Sequence, residues 1–513
     1  MLCECAIPVP LPRSPGPWKL NVSILEEPDF IELIERFWQS WRLNKPSSNL
    51  QSWWDRGKSH IRGICLRYCS RRSVLRKTSS SLLDSLACHL KSRVDGGMVS
   101  LLDVYEKVLS KIADDDKAKA RGARVRSRVR WAEEGEASTR FFLRLEKQCG
   151  AKGWIAAMRQ PDGALATDIA SICSSWVHFY SDLFSACTAD MPIQDTLVSS
   201  LSSCLTDEES NLCEGLFSLT EASEALDGMA DSKAPGSDGL PKEFYKAFWH
   251  ILGSDLVDVF NDALSSGCLS VSQRTALITL IFKKGDRLDH KNWRPISLLN
   301  ADYKLCARIL AGRLLHVLQS IIGLDQTCGV RGRFIGDSVV FLRDLVDFTS
   351  ETNTPAAILS LDQEKAFDPV DWAFLFRILG KFGFGASFIS WVKLLYTNIR
   401  SAVLVNGYRS DYFWPSRGVH QGCPLSPLLY VISIEVLAAN LRSHPDIVGL
   451  QLPGSSSFLP TVALYANDTS VIVNSESAIQ ANFLKGVPER NLIFLSVRVC
   501  CLALGVFFLV FLL

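Results

Sequence analysis

The fold is decided by the stretch ALYANDTSVIV at residues 463–473. Two apolar runs, rich in β-branched residues, flank a short polar tip, and this pattern predicts a β-hairpin whose tight turn carries Asp468. A second strand-like run, ILSLD at residues 358–362, ends in a carboxylate that is costly to bury without a partner. If the two segments are neighbouring strands, Asp468 meets Asp362. Taken singly, Asp362 also fits a helix cap and Asp468 a plain turn.

A meeting of these two side chains would have a chemical consequence. Carboxylates about 4 Å apart repel each other unless a divalent cation bridges them. Oxygen ligands together with substrate phosphates are the usual setting of Mg²⁺ in proteins. The pair Asp362 and Asp468 is therefore the candidate metal site of this sequence.

Basic residues converge in the segment that follows residue 280. Lys283 and Lys284 precede a turn at Gly285, and Arg294 comes after it. A lysine supplies a point charge and an arginine a planar fork, so this hairpin suits a polyphosphate. A solvated charged turn is the alternative interpretation.

The string HQGCPLSP at residues 420–427 is unusual for a loop. Gly422 allows the backbone to pass close to a flat ligand, and Pro424 can begin a helix. The strongly apolar residues from Leu425 to Leu441 then predict a helix that backs a sheet. An ordinary entry from a loop into a helix is the alternative.

The composition of the 513 residues is that of a globular protein, with 47% apolar and 21% charged residues. This excludes a fully disordered, collagen-like or polytopic membrane protein. Lys+Arg 55 against Asp+Glu 54 gives a net charge of +1, which excludes a uniformly basic coat for nucleic acid. Short β-branched runs alternate with helical stretches between residues 216 and 473, which predicts an α+β fold with a mixed sheet. Scattered cysteines and a start unlike a secretory signal indicate an intracellular protein with free thiols.

The region before residue 200 is predicted to be helical and locally basic. Residues 56–77 carry eight Lys or Arg and no acid, and residues 121–130 add five Arg. We expect these clusters to bind RNA phosphates, with Trp53, Trp54 and Tyr68 stacking on bases. Two solvated helix faces are the alternative.

Taken in order, these segments resemble the reverse transcriptase of non-long-terminal-repeat retrotransposons, of the long interspersed element type. The resemblance covers about residues 215–480 and rests on the strings APGSDGL (234–240), KKGD (283–286), WRPIS (293–297), LDQEKAFD (361–368), QGCPLSP (421–427) and YAND (465–468). A looser likeness upstream involves GPWKLN (16–21), WWD (53–55) and residues 121–147.

The resemblance implies a right-hand polymerase with fingers and a palm built around a mixed sheet. It also implies nucleotidyl transfer by two Mg²⁺ ions, with an RNA template, a DNA primer and deoxynucleoside triphosphates as partners. In that mechanism Asp362 would bind both ions, and Asp468 would be the second acid of the tip.

Five further residues are implied to contact the nucleotide. Lys283 and Arg294 would grip the triphosphate. Phe367 would lie under the sugar and exclude a 2′-hydroxyl group. Gln421 and Gly422 would line the nucleotide and the template strand.

The tip departs from the family pattern, which has two consecutive aspartates where this chain has Asn467 and Asp468. An amide oxygen can coordinate Mg²⁺ but carries no charge. Single electrostatic contacts of this kind are worth roughly 3–4 kcal/mol. We therefore expect a degenerate catalytic set with little or no polymerase activity. The alternative is a non-catalytic RNA-binding remnant.

The resemblance also divides the chain. Residues 1–50, which include an amphipathic helix over 29–41, would be a remnant linker after a lost endonuclease domain. Residues 51–200 would be the helical basic pre-polymerase region, and residues 215–485 fingers and palm without a thumb. We thus expect a truncated copy.

The last segment differs from all the rest. Residues 492–513 carry a single charge, Arg498. About 20 apolar residues span a bilayer, so the apolar tail, residues 491–513, is a candidate transmembrane helix with Arg498 near one interface. Membrane association through 492–513 is expected on this interpretation, and packing without insertion is the alternative.

Overall fold

The computed structural model describes residues 14–127, 153–186, 191–354, 356–363, 365–444, 449–450, 461–473, 495–496 and 501–503. Its helices are α1 (Pro28–Arg42), α2 (Leu50–Asp95), α3 (Leu102–Ser127), α4 (Ile169–Leu183), α5 (Met191–Ser199), α6 (Asp207–Cys213), α7 (Leu219–Asp227), α8 (Lys242–Ala247), α9 (Trp249–Ser266), α10 (Ala301–Ile321), α11 (Ile335–Thr352), α12 (Trp372–Lys381), α13 (Ala386–Tyr396) and α14 (Ser426–Ser443). Its strands are β1 (Met158–Arg159), β2 (Leu165–Ala166), β3 (Thr275–Phe282), β4 (Trp293–Leu298), β5 (Ala357–Gln363), β6 (Arg400–Val405), β7 (Tyr408–Arg409), β8 (Val462–Tyr465), β9 (Asp468–Val473), β10 (Leu495–Ser496) and β11 (Cys501–Ala503). The α+β prediction is confirmed.

The hairpin sheet consists of β8, β9, β5 and, on the far side of β5, the strands β10 and β11. β8 and β9 are the hairpin that the sequence predicts. β9 pairs with β5 from Ala357 opposite Val473 to Asp362 opposite Asp468. Every pairing between the strands of this sheet is antiparallel. Hairpin connections produce antiparallel neighbours, and parallel pairing needs a longer crossover.

The mixed sheet is a separate sheet with the strand order β4-β3-β6-β7. β3 and β6 are parallel, and the other two pairs are antiparallel. One face of this sheet packs against α4, where Trp176 and Tyr180 are buried with Ile278 and Val403. The mixed sheet predicted from the sequence is therefore this second sheet, whose strands come before and after β5 in the chain.

The main core lies around α10 and α14, which are buried on nearly all sides. A helix that is apolar all round is expected at the centre of a large domain. The predicted helix over 29–41 is α1, and its residues Phe30, Ile34 and Trp38 are buried in this same core. Residues from Leu20 to Cys65 thus share a core with residues 197–473. The division into a linker, a pre-polymerase region and a polymerase region stays a prediction.

Two of the three aromatic side chains expected to stack on RNA bases, Trp53 and Trp54, are not available for stacking. Trp53 and Trp54 are buried in the core beside Trp38. The Tyr68 hydroxyl donates a hydrogen bond to Glu27 at 2.7 Å, and its ring packs on the side of α1. The prediction is wrong for Trp53 and Trp54, because they lie on the face of α2 that packs into the core, and it stays a prediction for the half-buried Tyr68.

A buried ion cluster fastens α2 to the rest of the core. The Lys58 ammonium group donates to Asp302 at 2.7 Å and to Asp238 at 3.1 Å. Trp54 donates its indole N–H to the same Asp302 at 2.9 Å. Burial alone would lower the pKa of Lys58, but Asp302 and Asp238 raise that pKa well above its usual value. One of the eight cations predicted to bind RNA is therefore a structural ion.

The apolar tail is extended where the structure describes it. β10 and β11 pair antiparallel with β5, with Ser496 opposite Asp362 and Leu502 opposite Ile358. The helix predicted for residues 492–513 is therefore wrong at these strands, since β5 satisfies their backbone groups by pairing. The rest of that segment lies outside the described residues. Within the described ranges, no helix is both long and apolar enough to cross a membrane.

Candidate active site

The turn between β8 and β9 brings the candidate metal ligands to one end of the hairpin sheet. Tyr465 pairs with Asp468, so Ala466 and Asn467 form the turn. Asp468 is directly opposite Asp362 on β5. Residues paired in this way have Cα atoms about 4.5–5.5 Å apart. The meeting of the two segments, which the sequence predicts, is confirmed for the backbone.

Gln326 holds this turn, and the sequence analysis missed it. Ala466 has a φ of 55°, in the left-handed region that residues with a Cβ rarely adopt. The fully buried Gln326 accepts hydrogen bonds at Oε1 from the N–H groups of Ala466 at 3.1 Å and Cys328 at 3.0 Å. Its backbone also bridges to Leu464 on β8. A strained turn persists only where its surroundings fix it, so Gln326 positions this turn. No local pattern marks the residue, because it lies about 140 positions earlier in the chain.

The loop before α14 joins the end of β5 to the mixed sheet. The N–H of Val419 donates to the carbonyl of Phe367 at 2.8 Å, and the N–H of Ser297 donates to the carbonyl of Gln421 at 2.8 Å. Gly422 follows with a φ of 120°, and a Cβ there would lie 2.8 Å from the Ser297 carbonyl oxygen. Only glycine fits this conformation and this space.

A chain of side-chain hydrogen bonds links Arg294, Gln421 and Asp368. Arg294 Nε donates to Gln421 Oε1 at 3.2 Å, and Gln421 Nε2 donates to Asp368 Oδ1 at 3.2 Å. Burial raises the pKa of the Asp368 carboxyl to about 6, although the nearby Lys365 lowers it in part. The chain fixes which way the Gln421 amide faces, with its oxygen toward Arg294. Asp368 is a second residue to which the sequence analysis assigned no role, although it lies in the string that carries Asp362.

Phe367 lies beside the same loop. Its half-buried ring stacks on Tyr430 of α14, with ring centres 5.0 Å apart and planes 19° apart. The Tyr430 hydroxyl donates to Gln363 at the end of β5, which ties the helix to the strand. Lys283 is exposed at the start of the β3–β4 connection, and its N–H donates to the Asn292 carbonyl at 2.9 Å. The structure thus gathers four of the five predicted nucleotide contacts around one loop and places Lys283 on the adjacent hairpin.

The donor set at the turn suits a hard cation. Asp362 and Asp468 are paired in register, and the amide-bearing Asn467 precedes Asp468. Carboxylate and amide oxygens are ligands that Mg²⁺ accepts. Among the side chains that the structure describes, no group of three or more His, Cys, Asp or Glu could hold a metal ion. Because Asn467 is neutral, these three residues fit an oxygen-ligand site with two carboxylates and one amide.

Comparison with protein-family models places residues 281–487 in the family described as reverse transcriptase (RNA-dependent DNA polymerase). These residues contain the connection from β3 to β4, strand β5, the loop before α14 and the turn with Asp468. The matched range therefore includes every predicted site residue.

Individual relatives agree with the family match. The chain is 35% identical over 457 residues to the Transposon TX1 uncharacterized 149 kDa protein of Xenopus laevis, covering 89% of this chain and 35% of that protein. It is 25% identical over 323 residues to the Retrovirus-related Pol polyprotein from the type-2 retrotransposable element R2DM of Drosophila melanogaster. This match covers 60% of this chain and 29% of that protein. It is 26% identical over 267 residues to the RNA-directed DNA polymerase from mobile element jockey of Drosophila funebris. This match covers 51% of this chain and 28% of that protein. The chain spans about a third of the length of these relatives.

Proposed function

We propose that this chain, which belongs to the reverse transcriptases of non-long-terminal-repeat retrotransposons, carries a weakened RNA-directed DNA polymerase centre at the turn of the hairpin sheet. The single observation that carries the proposal is the register of Asp362 opposite Asp468. Two acids from distant parts of the sequence share one end of a sheet, and the predicted nucleotide-binding loop bonds to the residues that follow β5.

Asp362 and Asp468 are the residues that would hold Mg²⁺. When bound, the metal supplies charge stabilisation at the reacting phosphate and activates the attacking hydroxyl. The turn held by Gln326 presents Asp468 in a fixed position, so little reorganisation accompanies binding.

The loop residues act on the nucleotide in this proposal. Arg294 and Lys283 supply cations for the triphosphate, and the hydrogen bond to Gln421 orients the Arg294 fork. Phe367, fixed by stacking on Tyr430, offers a flat wall for the sugar. Gly422 keeps the backbone close enough for a base or a template strand to pass.

Asn467 is the reason for proposing a weakened centre. It stands in the turn directly before Asp468, where a carboxylate would add a negative charge near the metal. The lost charge is expected to lower turnover by about 10²–10³-fold, the effect of one preorganised electrostatic contact.

Primer extension on an RNA template with the full chain tests the proposal. The wild type is expected to be barely active, and Asn467→Asp to be about 10²–10³-fold faster. Asp362→Asn in the Asn467→Asp chain should abolish that gain. Asn44→Asp, the same change at an exposed position of the structure, is the matched control. Equal activity of the wild type and Asn467→Asp would refute the proposed role of Asn467, and retained activity without Asp362 would refute the site.

A second candidate function is RNA binding without chemistry, which the exposed arginines of α2 favour. Arg56, Arg67 and Arg71 are exposed and lie within about 60° of one another around the helix axis. Replacing all three by glutamine should weaken RNA binding and reduce its salt dependence. RNA binding of the wild type with no extension by Asn467→Asp would favour this second function.

A further inference from the structure

Residues 322–328 form a segment, which we name the brace, that lies beside the hairpin of β8 and β9. The N–H of Leu464 on β8 donates to the carbonyl of Asp325 at 2.8 Å, and the N–H of Thr327 donates to the carbonyl of Leu464 at 3.1 Å. Gln326, which holds the turn of this hairpin, belongs to the same segment. The position of the turn therefore depends on the position of the brace.

Arg442, in the last turn of α14, joins the brace to that helix. Its Nε donates to Asp325 Oδ2 at 3.0 Å, and its guanidinium group also donates to Glu435 on the same helix. Glu435 Oε1 in turn accepts from the N–H of Gly323 at 3.1 Å. Arg442 and Glu435 thus hold the brace at one side chain and one backbone group.

A second arginine acts within the brace. Arg333 donates to the carbonyl of Gln326 at 2.9 Å and to the carbonyl of Ile322 at 3.3 Å. It also donates to the carbonyl of Gly323. These contacts fix the shape of the brace, whereas Arg442 and Glu435 attach it to α14.

The two acids of this attachment are buried. The side chains of Glu435 and Asp325 are 3% and 7% exposed, and that of Arg442 is 31% exposed. Among the residues that the structure describes, Glu435 Oε2 and Asp325 Oδ1 are buried without a hydrogen-bond partner. Arg442 and Arg333 favour the ionised form of Glu435, and Asp325 opposes it. Burial has the largest effect and raises the pKa of the Glu435 carboxyl to about 7, so this group changes charge near neutral pH.

We propose that Arg442 and Glu435 are positioning residues, which fix the turn of the hairpin sheet by anchoring the brace to α14. They act through the brace, because Asp325 bonds to β8 and Gln326 bonds to the turn that presents Asp468. Ionisation of Glu435 places a second negative charge near Asp325, so the anchor weakens as pH rises through about 7. The inference rests on the proposed function only in taking Asp468 as a metal ligand.

Hydrogen–deuterium exchange of the full chain in EDTA, followed by mass spectrometry, tests the inference. The readout is the protection of residues 462–468, corrected for the intrinsic exchange rate, relative to that of the paired strands β3 and β6. Arg442→Ala should lower this relative protection by at least about tenfold, because two buried carboxylates lose a cation that is itself partly screened by solvent. Arg343→Ala removes an exposed arginine that pairs with Asp344, and as the matched control it should leave the relative protection unchanged.

A pH series separates positioning from a general loss of stability. We take the pKa of Glu435 as an ordinary 4.5 when the brace is detached and about 7 when it is attached. The relative protection of the wild type should then fall by about tenfold between pH 6 and pH 8. Glu435→Gln keeps an oxygen that can accept from the Gly323 N–H but cannot ionise, so its relative protection should stay constant over that range.

Relative protection that Arg442→Ala leaves unchanged would overturn the inference. An equal loss in β3 and β6 would also overturn it, because the substitution would then destabilise the fold in general. So would the same pH response in the wild type and Glu435→Gln. Because no metal is present, failure of primer extension leaves this result untouched, and the two proposals fail separately.

Discussion

Replacing Lys58 by methionine should strongly destabilise the protein. The Lys58 side chain is 4% exposed and that of Asp302 is 0% exposed, so solvent screens their interaction little. Removing the ammonium group leaves Asp302 and Asp238 as neighbouring buried carboxylates without a cation. Breaking a buried ion pair on one side costs about 3–5 kcal/mol. We expect Lys58→Met to lose this much free energy of unfolding.

Urea denaturation followed by far-ultraviolet circular dichroism measures this loss. With a slope of about 3 kcal/mol per molar urea, the midpoint should fall by about 1 M or more. Lys107→Met is the matched control, because Lys107 and Asp103 form an ion pair on α3 with both side chains more than 70% exposed. Such a pair contributes less than about 1 kcal/mol.

A double variant sharpens the test. Adding Asp302→Asn removes one of the two uncompensated carboxylates and keeps an oxygen that can accept from Trp54. The double variant Lys58→Met/Asp302→Asn should therefore be more stable than Lys58→Met alone. Two results would refute this reasoning. One is a free energy of unfolding of Lys58→Met within about 1 kcal/mol of the wild-type value. The other is a double variant whose loss of that free energy equals the sum of the losses of the two single variants.

Three further predictions concern other parts of the structure. Since the pKa of Asp368 is raised to about 6 from an ordinary 3.8, ionisation destabilises the folded state as pH rises through this range. Between pH 5 and pH 7.5, the free energy of unfolding of the wild type should fall by about 1.4 kcal/mol relative to that of Asp368→Asn, as measured by urea titrations. A difference between the two proteins that does not change with pH would contradict the burial of this charge. Gly422→Ala should lower the melting temperature more than Gly97→Ala does. Both glycines have a positive φ, but only Gly422 lacks space for a Cβ. Equal shifts of the melting temperature in calorimetry would show that the missing space has no effect. Deleting residues 491–513 unpairs one edge of β5 and should increase self-association in analytical ultracentrifugation, whereas a less associated deletion chain would speak against the strand pairing.

Local patterns were sufficient to predict the hairpin and its neighbour. Alternating apolar residues around a polar tip indicated β8 and β9, and the strand-end acid indicated that Asp362 needed a partner. The two-residue turn fixes the register of β8 against β9 only. That β5 and β9 are neighbours was predicted from their two acids, but the exact register of Asp362 opposite Asp468 is a long-range pairing that no turn sets. The roles of these acids in catalysis stay a prediction.

Long-range contacts were not predictable from one sequence. Gln326 and Asp368 act through partners more than 50 positions away, and no local spacing marks them. Trp53 and Trp54 were assigned to RNA because basic residues surround them in sequence. In the helix, Trp53 and Trp54 lie on the buried face of α2. The periodicity of the helix therefore separates these tryptophans from exposed basic residues that are close in sequence.

The apolar tail shows a different limit of sequence analysis. Hydropathy measures the transfer of side chains and does not tell whether backbone groups pair within a helix or with a neighbouring strand. β5 has an edge opposite β9, and Leu495–Ser496 and Cys501–Ala503 pair with that edge. A free strand edge elsewhere in the fold therefore decided the conformation of these residues, and it cannot be read from the tail alone.

The central claim is that Asp362 and Asp468 share a divalent ion, and a titration with Mn²⁺ followed by electron paramagnetic resonance of the free ion tests it most directly. Binding should be at least about tenfold tighter in Asn467→Asp than in the wild type, because a carboxylate replaces a neutral amide. In the Asn467→Asp chain, Asp362→Asn and Asp468→Asn should each remove this gain, and Asn44→Asp should leave binding at the wild-type level. The same Mn²⁺ affinity in all of these chains would contradict the account.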